Sequence, residues 1–186
     1  MAVPARDRVL LAAADLFARH GVRAVGVDRI TASAGVAKAT FYRHFRSKDE
    51  LVAAWLRSRP PRWFDELRDE AARRASDPRE QLTAFFDGFS EMLEAPGFTG
   101  CPFLNTAAEL HGPSPAIHQA VVDYLAEIEA YLRDLATAGG FPAPESLGAQ
   151  LRLVVSGALI TALALGDATP VAAAARSAVN EILGGE

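Results

Sequence analysis

An all-α fold in two unequal parts is what the sequence predicts, and three observations carry that prediction. Apolar residues along the 186-residue chain recur with the helical period, and no stretch alternates at period two as a half-buried strand would. Breaker residues, among them Gly21, Gly35, Pro60-Pro61, Pro96-Gly97, Gly139-Gly140 and Gly184-Gly185, divide those periodic stretches into about nine helices. Charge is divided as well: residues 1–59 carry 11 Arg/Lys against 5 Asp/Glu, net +6, whereas residues 60–186 carry 8 against 18, net −10. A basic N-terminal head, 1–59, is therefore expected on a larger acidic body, 60–186.

Each element has a local reason. The first helix covers about Ala5 to His20, with Val9, Leu10, Ala13, Leu16 and Phe17 on one side and Gly21 as its stop. A short helix, Val27 to Ala34, follows Gly26. Gly35 then turns the chain into a third segment ending near Phe45. "SKDE" opens the fourth as a capping box, Ser47 capping and Glu50 reaching back. Pro60-Pro61 must end or kink it, and the module boundary is placed there. In the body, "RWFDELRDEAARRA" is amphipathic through Trp63, Phe64, Leu67 and Ala71. Asp77-Pro78 starts a helix through Leu82, Phe85, Phe86, Phe89 and Leu93. A short helix follows Cys101-Pro102, and a longer one runs from Ser114-Pro115 to about Ala138. The last two run from Glu145 to Leu165 and from Val171 to Leu183, the final one capped by Thr169-Pro170.

Composition excludes several classes. Half the residues are hydrophobic and about a quarter charged, with no low-complexity tract, as in a globular protein. A lone cysteine, Cys101, rules out an internal disulfide and suits a reducing compartment. No basic residue within twenty positions would stabilise its thiolate. The N-terminal segment is an amphipathic helix and not a signal peptide. The most apolar stretch, Leu153 to Gly166, is shorter than the roughly 18 residues of a membrane span and is expected to be buried. A cytoplasmic location follows. No nucleophile–base pair, phosphate loop or metal spacing stands out, so neither catalysis nor a cofactor is expected. His111 and His118, with Glu109, are separated by "GPSP", which breaks any shared ligand face.

The segment Val36 to Phe45, "VAKATFYRHF", is the most informative. Ile30, Ala34, Val36, Phe41 and Phe45 make the inward side of a helix-turn-helix, with Gly35 at the turn. At 100° per residue, Ala39 and Arg43 point away from that core, flanked by Thr40 and Tyr42. A small residue there lets the backbone approach a groove floor. Arg43 and Lys38 suit guanine O6 and N7, and Thr40 a thymine methyl or base edge. Tyr42, His44 and Lys48 fall where phosphates would be. No acid occurs between Arg29 and Asp49, which a merely solvated face would not show. The expected partner is the major groove of double-stranded DNA.

The whole stretch "VLLAAADLFARHGVRAVGVDRITASAGVAKATFYRHFRSKDELVAAWL" resembles the DNA-binding domain of the tetracycline-repressor (TetR) family of bacterial transcriptional regulators. "LFARHG" and "AGVAKATFYRHFRSK" are its most specific elements. The resemblance implies an all-helical homodimer with a three-helix head and a helical body that binds a small effector, which releases the protein from a pseudo-palindromic operator. It places DNA contacts on Lys38, Ala39, Thr40, Tyr42, His44 and Lys48; Arg29 and Arg43 join them from the pattern above. Gly26 and Ala37 replace the usual Ser or Thr caps. Asp28 would repel phosphate unless Arg29 offsets it.

The body gives weaker indications. Phe85, Phe86, Phe89, Met92, Phe103, Asn105, His111, His118 and Tyr124 are candidates to line a pocket for an apolar or amphipathic effector, although stripes of aromatic residues also make ordinary core. Asn105 and Glu109 are either pocket groups or a surface pair. Small residues on the last two helices suggest a four-helix dimer seam through Gly157, Thr161, Val171, Ala175, Ala178 and Ile182. Activation in place of repression, or a ligand carrier that no longer binds DNA, remain alternatives at this stage.

Overall fold

The computed structural model describes residues 3–58, 62–110, 112 and 114–184, the side chain of Arg62 excepted. The expected break at Pro60-Pro61, the candidate His111 and the terminal Gly185 lie outside the described residues. Among those described there is no strand. The helices are α1 (Ala5–His20), α2 (Val27–Ala34), α3 (Lys38–His44), α4 (Lys48–Ser58), α5 (Arg62–Arg74), α6 (Pro78–Glu94), α7 (Pro102–Glu109), α8 (Pro115–Ala138), α9 (Pro144–Leu165) and α10 (Thr169–Gly184).

Two compact units form. The first comprises residues 1–60 together with 102–122, so that α7 and the start of α8 pack with the basic head. Its core is built from Val9, Ala13, Phe17, Val25, Ile30, Phe41, Phe45, Leu51 and Trp55, all buried. Phe17 meets Trp55 edge to face at 5.1 Å. Gly21 stops α1 at φ 75°, and its N–H bonds Phe17 O at 2.9 Å. Arg57 on α4 donates to Ala116 O at 3.3 Å, tying α4 to the start of α8.

The second unit comprises residues 61–101 and 123–186. Asp77 caps α6, accepting from Arg79 N at 2.8 Å and Glu80 N at 3.2 Å, with Pro78 at the first turn. Rings from α5, α6 and α8 interlock: Phe64 lies 6.1 Å from Phe85 and 5.7 Å from Tyr131. α10 packs on α6 and α9 through Val171, Ala172, Ala175 and Val179. Its N-terminus is capped by Asp167, which accepts from Thr169 N at 3.0 Å, in place of the expected Thr169 cap.

α9 differs from expectation. Its bounds match the expected helix to within one residue, and its 22 residues are long and apolar enough to cross a membrane by length and composition alone; the difference lies in its burial. Leu147, Leu151, Val155, Ala158, Leu159 and Ala162 face the core, and Arg152 pairs with Glu129 of α8 at 2.7 Å. The opposite side is exposed and apolar: Leu153 and Ile160 are 60% and 39% accessible, and Gly157, Thr161 and Ala164 lie between or beside them. The helix is thus buried on one side only, because its apolar residues run right round it.

Candidate nucleic-acid interface

α2 and α3 are joined by the turn that the sequence requires. Gly35 takes φ 62° and ψ 40°, and its N–H and that of Val36 bond back to carbonyls of α2. No backbone crowds position 35, so its glycine answers a demand for left-handed backbone and not for space. Ile30, Ala34, Phe41 and Phe45 are buried. Val36, expected in the same core, is only half-buried because it lies in the turn itself.

That core fixes which way α3 faces. Lys38, Ala39, Tyr42, Arg43 and His44 are all exposed, and Thr40 is half-buried. Tyr42, at 48% accessibility, stands edge-on to buried Phe41 with ring centroids 5.2 Å apart, which holds a large ring at the surface. Arg43 Nη2 lies 3.4 Å from Thr40 Oγ1, so these two neighbours share one turn. Neither Gly26 nor Ala37 makes a side-chain cap, leaving the first N–H groups of α2 and α3 free of side-chain acceptors. Ser47 accepts from Glu50 N at 3.1 Å, while Glu50 reaches past Ser47 to Arg46 N at 2.6 Å. Lys48, at the start of α4, is half-buried. Burial disfavours its charged form, and Asp49 and Glu109 act in the opposite sense.

Asp28 is offset differently from the expectation. Lys38 Nζ, not Arg29, sits 2.7 Å from its carboxylate, and this partner keeps the lysine charged. Arg29 instead turns toward α1, with Nη2 2.8 Å from His20 Nε2. Both members of the Asp28–Lys38 pair are well exposed, so the pair contributes little stability. Its expected effect is on DNA binding. Asp28→Asn is expected to strengthen binding to a generic duplex and to steepen the dependence of log K on log salt by up to about 0.9, one more cation being free for phosphate. Titration at several salt concentrations checks this; an unchanged slope and affinity would count against it.

The body candidates are distributed unevenly. Phe85, Phe86, Phe89, Phe103 and Tyr124 are buried, Met92 and Asn105 half-buried, and His118 is exposed. Cys101, also buried, lies with Sγ 3.3 Å from the Tyr124 hydroxyl, whose ionisation burial suppresses. A cavity of about 500 Å³ between the end of α6 and the α9–α10 turn is lined by Leu93, Phe98, Ala162, Leu163, Asp167 and Thr169 among others. A groove of about 430 Å³ between α9 and α10 is lined by Val154, Thr161, Leu165 and Ala175 among others. None of the described effector candidates lines either. Sequence reasoning missed Trp63 and Tyr131, whose indole N–H and hydroxyl are buried within the aromatic cluster without a hydrogen-bond partner. Burial pushes the Tyr131 hydroxyl up to about 12. Their spacing resembled any core stripe, and no sequence signal marked the missing partners.

Of the proposed dimer residues, Gly157 and Thr161 are exposed and Ala178 and Ile182 half-buried. Val171 and Ala175 are already buried within the single chain, at 8% and 6% accessibility. Side chains at 171 and 175 therefore serve the subunit's own packing.

A buried aromatic pair, Phe41 and Phe45, beneath an exposed, acid-free basic helix, in a helix-turn-helix with a left-handed glycine, is the arrangement of a DNA-binding transcriptional regulator. Residues 9–55 match the model for bacterial regulatory proteins of the tetR family, and residues 78–177 match the C-terminal domain of LmrA/YxaF-like transcriptional regulators. The chain belongs to the tetR family, a family of regulators and not of enzymes. It is 36% identical over 89 residues to the transcriptional activator FasR of Mycolicibacterium smegmatis, covering 48% of this chain and 40% of that one. It is 35% identical over 89 residues to the repressor KstR2 of the same organism, covering 48% and 43%. The chain thus spans less than half the length of these curated relatives. A TetR-family regulator from Streptomyces coelicolor superposes with a TM-score of 0.78 at 30% identity, over 96% of this chain and 94% of that one.

Proposed function

We propose that this chain is a homodimeric, cytoplasmic repressor that an apolar or amphipathic small molecule releases from a pseudo-palindromic operator. In this account residues 1–59 bind DNA and residues 60–186 bind effector and partner chain. The outward face of α3 carries the DNA side of the proposal: Lys38, Ala39, Thr40, Tyr42, Arg43 and His44 address the major groove from a rigid base of Phe41 and Phe45. Arg29 and Lys48 supply flanking positive charge. Repression is favoured by the likeness to KstR2; the match to the activator FasR favours the second possibility. Deleting the chain and measuring transcripts beside its binding sites separates the two: a rise means repression and a fall means activation.

The aromatic cluster supports the nature of the effector. Trp63 Nε1 and Tyr131 Oη are buried donors without protein partners, and an apolar ligand bearing an acceptor would satisfy them. A compound that binds there should raise the melting temperature and lower operator affinity together, because linkage makes the two effects reciprocal. A screen of aromatic and acyl compounds by thermal shift checks this, and Tyr131→Phe should weaken any hit by roughly three- to tenfold. A hit that stabilises the protein yet leaves operator binding unchanged would contradict release.

The exposed apolar side of α9 supports the seam between subunits. Leu153, Gly157, Ile160, Thr161 and Ala164 repeat at helical spacing on that side, and the groove beside α10 continues it.

A further inference from the structure

Glu109 ends α7, and its side chain lies against the turn between α1 and α2. Oε2 accepts the Arg23 backbone N–H at 2.9 Å. A Cβ at position 21 would come within 2.7 and 2.9 Å of the two carboxylate oxygens. Gly21 therefore does more than stop α1 at φ 75°; its bare backbone makes room for this carboxylate. The sequence suggested a pocket group or a surface pair with Asn105 for Glu109; the structure places its carboxylate on the Arg23 amide. The contact joins residues 86 positions apart inside the first compact unit, and the same carboxylate acts through space on Lys48.

We propose that Glu109 is a positioning residue for DNA binding: by holding the Arg23 amide it sets the entry of α2, and with it the placement of α2 and α3 on a half-site. Val25 and Ile30 follow the turn directly into the core, so a shift at Arg23 is passed to α2 and not absorbed by a loop. A movement of α7 would reach the entry of α2 through this hydrogen bond. The inference rests on the DNA-binding assignment and adds to it the residue that tunes it.

The test compares Glu109→Gln with Glu109→Ala. Both remove the charge, so both change binding to generic duplex alike. Only glutamine keeps an oxygen that can accept from Arg23. Operators selected by the native protein from random DNA serve as the specific probe and a scrambled duplex as the generic one. The ratio of specific to generic affinity should stay near the native value for Glu109→Gln and fall roughly three- to tenfold for Glu109→Ala. Exchange of the Arg23 amide should accelerate by about the same factor in the alanine variant alone. If Glu109→Ala does not fold, Glu109→Asp replaces it, since its shorter side chain keeps the charge but withdraws the acceptor. Equal ratios in all variants would overturn the proposal. Failure of the native protein to select any duplex would instead overturn the DNA-binding assignment beneath it.

Discussion

Phe41→Ala is expected to unfold the reading head and abolish DNA binding. Phe41 is completely buried and packs on Phe45 at 5.8 Å, so truncation leaves a cavity at the crossing of α2 and α3. Such a change costs about 3–5 kcal/mol. At roughly 0.05–0.15 kcal/mol per residue, a head of this size has little more than that to lose. Far-ultraviolet dichroism should show partial loss of helix, with the aromatic cluster of the second unit retaining its own near-ultraviolet signal. Tyr42→Ala, on the outer side of the same turn, should leave folding intact and weaken only DNA binding. Equal stability of the Phe41 variant and the native protein would show that the α3 core is placed wrongly.

Ile160→Arg is expected to give a folded monomer that no longer holds its operator. Ile160 is 39% accessible on the exposed side of α9, so a single chain accommodates arginine there, whereas a close seam between symmetry-related helices does not. Loss of the second head removes avidity, worth roughly 10²–10⁴ in affinity for a two-half-site operator. Sedimentation and operator titration read the two effects. Position 175 is unsuitable for this test, because Ala175 is buried in its own subunit and a charge there would damage the fold directly. A dimer of unchanged DNA affinity would locate the seam elsewhere.

What was legible in the sequence was what is decided locally. The bounds of α1, the stop at Gly21, the left-handed turn at Gly35 and the cap at Asp77 all follow from residues within a turn of each other. The outward face of α3 was legible for the same reason, since one helical period and two phenylalanines determine it. Partners across helices were not. Nothing in the spacing of Asp28 and Lys38, or of Glu109 and Arg23, shows that they meet, because those pairs depend on how helices cross. Helical spacing likewise showed that Ala175 shares a stripe with Val171 but not whether that stripe meets its own subunit or another. The effector region was least legible: aromatic residues at helical spacing are the same in a filled core and in a pocket wall, and the unpaired Trp63 and Tyr131 groups depend on packing that spacing does not show.

The most direct measurement is selection of bound duplexes from a random pool by the native chain at moderate salt. The account predicts enrichment of one pseudo-palindrome with half-sites roughly 34–36 Å apart or a multiple of that, and relaxation at a single base position in each half-site for Arg43→Ala. A pool that emerges without any enriched sequence would contradict it.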